Sequence, residues 1–587
     1  MLYFAGHLGE AARSKDVGRH AAHLRFHVPL NHDQLFPGGV VMPGNQAIRG
    51  SLQDNSGWPS IGISAFHRRQ KAFHIAIGFE LNIGQRFNNA AWTHGLSVRE
   101  SQRREKGQPV FHNVVEVSYR FLTNFRMTGY ASYSFWLETC GDDLNPRPAL
   151  QRSAEVDVAV LGAGYSGLWT AYYLLRQNPG LRVAVLEKEI AGFGASGRNG
   201  GWCSPKFPVT PATLEERYGR DDARSLLLAM YDTVDEVRRV CEEEGIDAHF
   251  HKGGALTLAR GAHQLPAIHA ARAVYERLGL GDRNCLLTAD ETRQRVNVTD
   301  VHGALHTPQS ASVHPGRLVR GLARALERRG ATIYEETEVI SLEGGATPRL
   351  LTRGGELRAR HGIVLAGEAY LSRLPQLHRA VMPVYSLIVL TEPLTEVQWS
   401  WIGWHNRESI GSNRLTVDYL TRTADGRILF GSRGAPYVFG SKITDQQDRH
   451  EPTHSRARRA VVDWFPSLDG IGFTHAWGGP LGMPRDWMPA VAFDANSRIG
   501  TARGYTGQGV ATTNLAGRVL ANLIIGKQTG LETLPLAQRQ SRNWEPEPLR
   551  WLAVRYMQDA FARIDTAAES GRTRPIDAPI AELLGKH

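Results

Sequence analysis

Apolar residues show no sustained period over the first 126 positions and then settle into recognisable strand and helix patterns. Val156-Asp-Val-Ala-Val-Leu161 reads as a buried strand, followed by a glycine turn, a helix to about Leu175 and a second strand, Arg182–Leu186. A strand, a helix and a strand in that order make a βαβ unit. Residues from about Thr213 to Gly245 read as helix, because Leu226, Met230, Val234 and Val237 recur at three- and four-residue steps on one face. Leu318–Arg329 reads as a helix, Ala331–Tyr334 as a short strand and Gly362–Ala366 as another, resuming the first pattern. Gly254–Ala259, Tyr385–Leu390 and Arg427–Phe430 have the shorter, mixed runs of an antiparallel sheet. After Pro548, residues Leu549, Leu552, Tyr556, Met557, Phe561 and Ile564 share one side of a predicted helix. Tyr133–Pro148, with Pro146 and Pro148 near its end, predicts an extended lead into the first strand.

A chain of 587 residues exceeds what one hydrophobic core serves, so two or three folding units are expected. Apolar residues at 42% and charged residues at 21% are globular values. No segment approaches the roughly 18 unbroken apolar residues of a membrane span, so no membrane partner is expected. Cys140, Cys203, Cys241 and Cys285 form no CxxC pair, which speaks against a zinc site or a disulfide framework and for a reducing, cytoplasmic compartment. The net charge of +10 is concentrated at one end, since residues 1–126 hold 15 Lys and Arg against 8 Asp and Glu, and nine of the 23 histidines. That stretch reads as a poorly structured extension or a wrongly assigned start, with Met127 as an alternative initiator. The competing reading is a basic targeting or binding segment, since Arg68 and Arg69 precede the apolar run Ala72–Phe79. A nucleic-acid role would rest on this segment alone and is not expected.

The first strand runs into Gly162-Ala-Gly-Tyr-Ser-Gly167, whose Gly162, Gly164 and Gly167 fit a GxGxxG turn. The first glycine permits the turn, the second lets main chain approach a pyrophosphate, and the third lets helix and strand pack closely. Glu187 stands 20 residues past Gly167, where a carboxylate can accept ribose hydroxyls. A glycine-rich turn without a ligand would not predict that acidic residue. Six of the ten residues in Gly192-Phe-Gly-Ala-Ser-Gly-Arg-Asn-Gly-Gly201 are Gly or Ala, and such a loop can lie flat against a large ligand. This second loop indicates FAD rather than NAD. A third loop, Gly504-Tyr-Thr-Gly-Gln-Gly-Val510, leads into the helical stretch Ala511–Ile525, whose N-terminal amides would stabilise negative charge on a reduced flavin.

The three loops, in this order, resemble the D-amino-acid oxidase superfamily of FAD-dependent oxidoreductases over about residues 130–545. Ala195–Trp202, Trp477-Gly-Gly479 and Gly504–Asn514 are most similar to γ-glutamylputrescine oxidase-like amine oxidases. The resemblance implies an α/β plus α+β fold: a Rossmann-like, glutathione-reductase-like FAD-binding domain interleaved with an antiparallel-sheet substrate domain. On this reading residues 127–155 are a lead-in, 156–240, 306–375 and 490–530 the FAD-binding domain, 241–305 and 376–489 the substrate domain, and 531–587 a C-terminal helix and tail. It further implies that Gly162, Gly164, Ser166 and Gly167 hold the pyrophosphate, with Glu187 and Lys188 at the ribose and adenine end. Ser196, Arg198, Asn199 and Gly200 would line the flavin ring. Val339 would meet the adenine through its backbone, Ala366 and Gly367 would close that side, and Gly507, Gly509 and Val510 would lie under the pyrimidine edge. Some relatives attach flavin through a late cysteine, but none follows Cys285, so FAD is expected to be non-covalent. Cys203, beside the second loop, reads as a small buried thiol.

The implied reaction is hydride transfer from the carbon next to nitrogen to flavin N5, followed by imine hydrolysis. An amine substrate needs desolvation or a base and profits from aromatic walls, for which Trp202 and Trp477 are candidates. His314 is a candidate base, and Glu368 and Asp418 are candidate ammonium partners; the catalytic residues are otherwise undetermined. Molecular oxygen or another acceptor would complete the cycle, and the choice stays open because no lysine lies between Lys252 and Lys442 to mark an oxidase. No metal is expected. An NAD-linked dehydrogenase would not need the second and third loops, and a non-catalytic flavin-binding protein remains an alternative.

Overall fold

The computed structural model describes residues 129–585 and, before them, the strands Ile48–Leu52, Ile61–Phe66, His74–Phe79, Thr93–Glu105 and Gln108–Arg120. The chain divides into two compact units, Met1–Arg126 and Met127–His587. In the first unit, three of the strands form an antiparallel sheet and Thr93–Glu105 pairs with Gln108–Arg120 as a hairpin. These strands fall where the sequence shows no sustained period. Apolar alternation there lasts only five or six residues at a time, and Thr93–Glu105 is dominated by charged and polar residues.

The second unit is built on two sheets. In the first, Thr332–Tyr334, Val183–Leu186, Ala154–Leu161 and Glu356–Leu365 lie side by side and parallel. Ile499–Arg503 continues the parallel order along the end of Glu356–Leu365, while Arg349–Thr352 and Val339–Glu343 extend its beginning antiparallel. Successive side chains of a strand point to opposite faces. Val158 and Val160 accordingly pack under the helices Tyr165–Gln177, Pro315–Arg328 and Gly509–Ile525, and Ala159 packs with Leu357, Ile363 and Leu365 on the other face. Burial on both faces explains why Val156–Leu161 reads as a nearly unbroken apolar run.

The second sheet has eight strands in the order Cys285–Thr288, Val301–Thr307, Ala255–Arg260, Ser409–Ser412, Asp418–Arg422, Ile428–Arg433, Met382–Thr391 and Phe473–Met483. Every adjacent pair is antiparallel except Ala255–Arg260 with Ser409–Ser412. The helix Glu451–Trp464 packs on it through Val461 and Trp464, against Trp404, Phe430 and Val389. The chain alternates between the two sheets, so the residues that face one another across their junction are far apart in sequence.

Three elements differ from the sequence expectation. The helix expected over about Thr213–Gly245 is two helices, Pro211–Tyr218 and Arg220–Glu244, because Gly219 takes a left-handed φ of 81° between them. The lead-in is not extended throughout: Phe135–Glu138 is a helical turn capped by the Ser134 hydroxyl, with Phe135, Trp136 and Leu137 buried. In the helix Leu549–Glu569 the buried residues are Arg550, Val554, Ala560, Ile564, Asp565 and Ala567, whereas Leu549 and Leu552 are exposed. Arg550 pairs with Glu547, and Asp565 accepts the Leu415 and Thr416 amides, so polar contacts rotate this helix away from its most apolar side. Among the described residues no helix is long and apolar enough to cross a membrane.

Candidate active site

A long cavity of about 340 Å³ is lined from both sheets. Its lining includes Glu187, Lys188 and Val339, and also Tyr419, Arg433 and the loop Tyr505–Val510. Strand Ala154–Leu161 turns into the cavity at Gly162, whose φ of 102° is left-handed and whose Cβ, if present, would stand 2.8 Å from the Ala366 carbonyl oxygen. A Cβ on Gly164 would come 3.0 Å from Ser196 Oγ, which itself accepts the Tyr165 amide at 2.8 Å. Gly167 does not reach the cavity. A Cβ there would lie 2.0 Å from the Gly162 carbonyl oxygen, so its absence lets the helix close on the strand.

Glu187 ends the second parallel strand with Oε2 accepting the Ala163 amide at 2.9 Å and Oε1 accepting the Glu189 amide at 3.1 Å. Burial pushes its carboxyl up to about 7, and these two amides pull against that shift. A carboxylate oxygen accepts more than one hydrogen bond, so both retain capacity toward the cavity. Lys188 pairs with Glu338 at 2.7 Å on the rim beside Val339.

The second loop is braced from several sides. Ser134 Oγ donates to Gly197 O and Trp136 Nε1 to Asn199 O, each at 2.7 Å, so the helical turn of the lead-in supports it. Asn199 folds the loop on itself, donating to Ala195 O and Ser196 O and accepting the Gly201 amide. The Arg198 guanidinium is fully enclosed: Nη1 meets Asp448 Oδ2 at 2.8 Å, Nη2 donates to Tyr370 OH at 2.6 Å, and Phe193 lies 4.8 Å from its centre. Burial works against its charge, and Tyr370 and Asp448 more than offset that. The third loop is tied in by Ser166 Oγ, which donates to Tyr505 OH at 2.9 Å, and by Arg433 Nη2, which donates to Thr506 O at 3.0 Å. The Glu368 carboxylate accepts the Gly482 and Gly504 amides, and burial raises its carboxyl to about 7.

Of the residues expected to line this space from the sequence, Gly162, Gly164, Ser166, Glu187, Lys188, Ser196, Arg198, Asn199, Gly200, Val339, Ala366, Gly367, Gly507, Gly509 and Val510 do so. Trp202 does too, with its indole Nε1 donating to Thr421 Oγ1 at 2.9 Å and its ring edge-on to Tyr419. Trp477 and His314 do not. The Trp477 indole is buried against Phe135 and Trp136 and donates to Arg198 O at 2.9 Å. His314 caps the helix Pro315–Arg328, its Nδ1 accepting the Arg317 amide and its Nε2 paired with Thr139 Oγ1, and burial drives its pKa down to about 3. A ring with both nitrogens engaged and no access to the cavity is no base for a substrate there. Glu368 and Asp418 both line the cavity: each Glu368 oxygen accepts a backbone amide, whereas Asp418 Oδ1 accepts the Ser412 amide and hydroxyl and its Oδ2 is buried without a hydrogen-bond partner. Cys203 is buried off the cavity, with its thiol pushed well above the usual range by burial.

Several lining residues gave no sequence signal. Lys206 lies six positions beyond Gly200; its Nζ donates to Thr257 Oγ1 at 2.7 Å and stands 5.7 Å from the Trp202 ring centre. Burial lowers its ammonium to about 8, and no carboxylate among the described residues lies within 4 Å of it. Tyr419 packs on Gly200 and shares a 2.9 Å hydrogen bond with Ser386 Oγ. Strand pairing in the eight-stranded sheet brings Tyr419 to the second loop, while Lys206 follows that loop closely in sequence without a motif to mark it.

Residues 157–523 match the model of the family described as FAD dependent oxidoreductase, DAO. The chain belongs to this family. This FAD-dependent oxidoreductase is 32% identical over 384 residues to the γ-glutamylputrescine oxidoreductase of Escherichia coli K12, a match covering 65% of this chain and 86% of that protein. It is 31% identical over 413 residues to the probable oxidoreductase OrdL of Rhizobium meliloti, covering 68% of this chain and 90% of that protein. Among solved structures, the glycine oxidase of Geobacillus kaustophilus matches with a TM-score of 0.55 and 21% identity, covering 66% of this chain and all of that one, which shows a shared fold.

The cavity fits the family's cofactor. FAD is long and carries a diphosphate, and the glycine turn brings main chain to the cavity wall where Gly162 passes against Ala366 too closely for a Cβ, with Glu187 and the N-terminus of helix Gly509–Ile525 lining the same cavity. Arg198 holds the second loop of this oxidoreductase against Asp448, which flanks the other sheet. Asp448→Ala would leave a buried guanidinium uncompensated and is expected to cost about 3–5 kcal/mol of stability, read as a lower thermal midpoint. An unchanged midpoint would show that Tyr370 OH and Gly478 O suffice.

Proposed function

We propose that the protein oxidises a C–N bond of an amine or amino-acid-like substrate, with FAD lying non-covalently along the cavity. FAD supplies a two-electron acceptor for the hydride that leaves the carbon next to nitrogen. The observation that carries this reading is the single cavity joining a dinucleotide-type turn to an aromatic end formed by Trp202 and Tyr419. In fold terms, the parallel sheet is the glutathione-reductase-like cofactor domain, made of 156–240, 306–375 and 490–530. The eight-stranded sheet is then the interleaved substrate domain, made of 241–305 and 376–489.

The residues divide the work by position. The glycine turn and Ser166 would hold the diphosphate, Glu187 the ribose hydroxyls, and Val339 the adenine side. The free amides at the start of helix Gly509–Ile525 would stabilise the negative charge that a bound flavin gains on reduction, and Arg433 holds the third loop before that helix through the Thr506 carbonyl. Trp202 and Tyr419 exclude water from the amine, which lowers its pKa and favours the neutral form that can lose hydride. The resulting imine takes up water and separates into a carbonyl compound and an amine or ammonia. Lys206, an ammonium without a carboxylate partner, suits an anionic group elsewhere on the substrate.

γ-Glutamylputrescine, which carries a carboxylate remote from its reactive amine, is therefore expected to be turned over with a lower KM than putrescine, whose second cation would meet Lys206. Turnover should yield carbonyl product and released amine or ammonia in equal amounts. A panel of these amines, sarcosine and D-amino acids that gives no carbonyl product with any member, in holoenzyme of full FAD content, would reject the reading.

Glu187 accepts ribose hydroxyls best as the carboxylate, and burial places its carboxyl at about 7. Binding that favours the deprotonated form strengthens as pH rises through that value and then levels off. FAD affinity of the stripped protein, read by flavin fluorescence, is expected to follow this course, and Glu187→Gln should flatten it. A wild-type affinity that stays level across the same range would contradict the ribose assignment.

A further inference from the structure

Behind the second loop lies a separate cleft of about 200 Å³, lined by Phe135, Trp136, His249, Arg317, Arg407, Arg422 and neighbouring residues. Its charges do not cancel. Asp247 beside it is matched by Arg317 at 2.7 Å, and Asp425 on its wall is matched by Arg427 at 2.7 Å. Arg407 and Arg422 are left over, and among the described residues neither has a carboxylate within 4 Å.

Both surplus guanidiniums are held by carbonyl oxygens rather than by acids. Arg407 Nε donates to Arg422 O and its Nη2 to His249 O, while Arg422 donates to Trp404 O and lies over the Trp399 ring. Burial lowers the Arg407 guanidinium from its usual range and the nearby Arg422 lowers it further; burial also lowers Arg422, against which the Glu408 carboxylate pulls. Arg317 Nε is also buried without a hydrogen-bond partner. Arg407 keeps a left-handed φ of 52°, a strained backbone for a long side chain and one that surrounding structure must impose. His249 and His314, the remaining titratable groups, are both lowered by burial and add no negative charge.

We propose that this cleft is a second ligand site, for a small oxyanion held by the guanidiniums of Arg407, Arg422 and Arg317. Planar guanidinium donors suit phosphate and carboxylate oxygens alike, and the cleft has room for a phosphate monoester or a short carboxylate. The site adjoins the cofactor region through Thr421, which lines the cleft and whose hydroxyl donates to Gly200 O at 2.7 Å. It requires nothing of the amine reading and stands whether or not that reading does.

The test uses the FAD-loaded enzyme, titrated separately with inorganic phosphate and with succinate at an ionic strength held constant with chloride. Tryptophan fluorescence, to which Trp136 on the cleft wall contributes, and the thermal midpoint report binding. A saturable change with at least one anion is expected; phosphate alone identifies a phosphate ligand, and succinate alone a carboxylate. Arg407→Gln should weaken that binding by about tenfold or more, the loss implied by removing a charge-assisted donor pair, with FAD content unchanged. Arg317→Gln provides the same comparison should the first variant fail to fold. No saturable response to either anion beyond that of chloride overturns the proposal, and so does saturable binding that both substitutions leave untouched.

Discussion

At Gly162 the chain passes so close to Ala366 that a methyl group would stand 2.8 Å from its carbonyl oxygen, and at Gly200 it lies against the ring of Tyr419. Both contacts bring backbone, not side chain, to the wall of one long cavity. Main chain placed this way offers amides to a ligand but little hydration to neighbouring charges. The same burial then raises Glu187 and Glu368 to about 7 and lowers Lys206 to about 8. The shape of the site and its electrostatics therefore have one origin.

That cavity needs both sheets to stay in register. Arg198 reaches from the second loop to Asp448, Ser166 to Tyr505 on the third loop, and Glu368 to the amides of Gly482 and Gly504. Each contact joins segments more than a hundred residues apart. The lead-in contributes in the same way, through Ser134 and Trp136 against the second loop. Charged residues that a reader would assign to substrate are thus in part structural: Arg198 clamps, and Glu368 pins two turns.

What could be read from the sequence follows from this division. The turn at Gly162–Gly167, Glu187 at the end of the next strand and the helix after Gly509 are local patterns, and all were legible. Trp202 was legible as an aromatic beside glycines, but the same reasoning picked Trp477, whose indole instead serves the Arg198 carbonyl. His314 looked available and is spent on a helix cap. Tyr419 and Arg433 were invisible because only cross-strand pairing in the eight-stranded sheet carries them to the cavity, and Lys206 because no motif marks a lone lysine just past the second loop. The C-terminal helix was misjudged for a related reason, since Arg550 and Asp565 are buried by specific partners that no apolar period reveals.

The most direct test of the account is to mix the purified holoenzyme with γ-glutamylputrescine, putrescine, sarcosine and D-amino acids without oxygen and follow the visible band of its oxidised flavin. The account predicts that the band is lost with a member of this amine set and returns when an electron acceptor is admitted. A flavin that stays oxidised with every amine, while chemical reduction still bleaches it, would contradict C–N oxidation as the activity of this site.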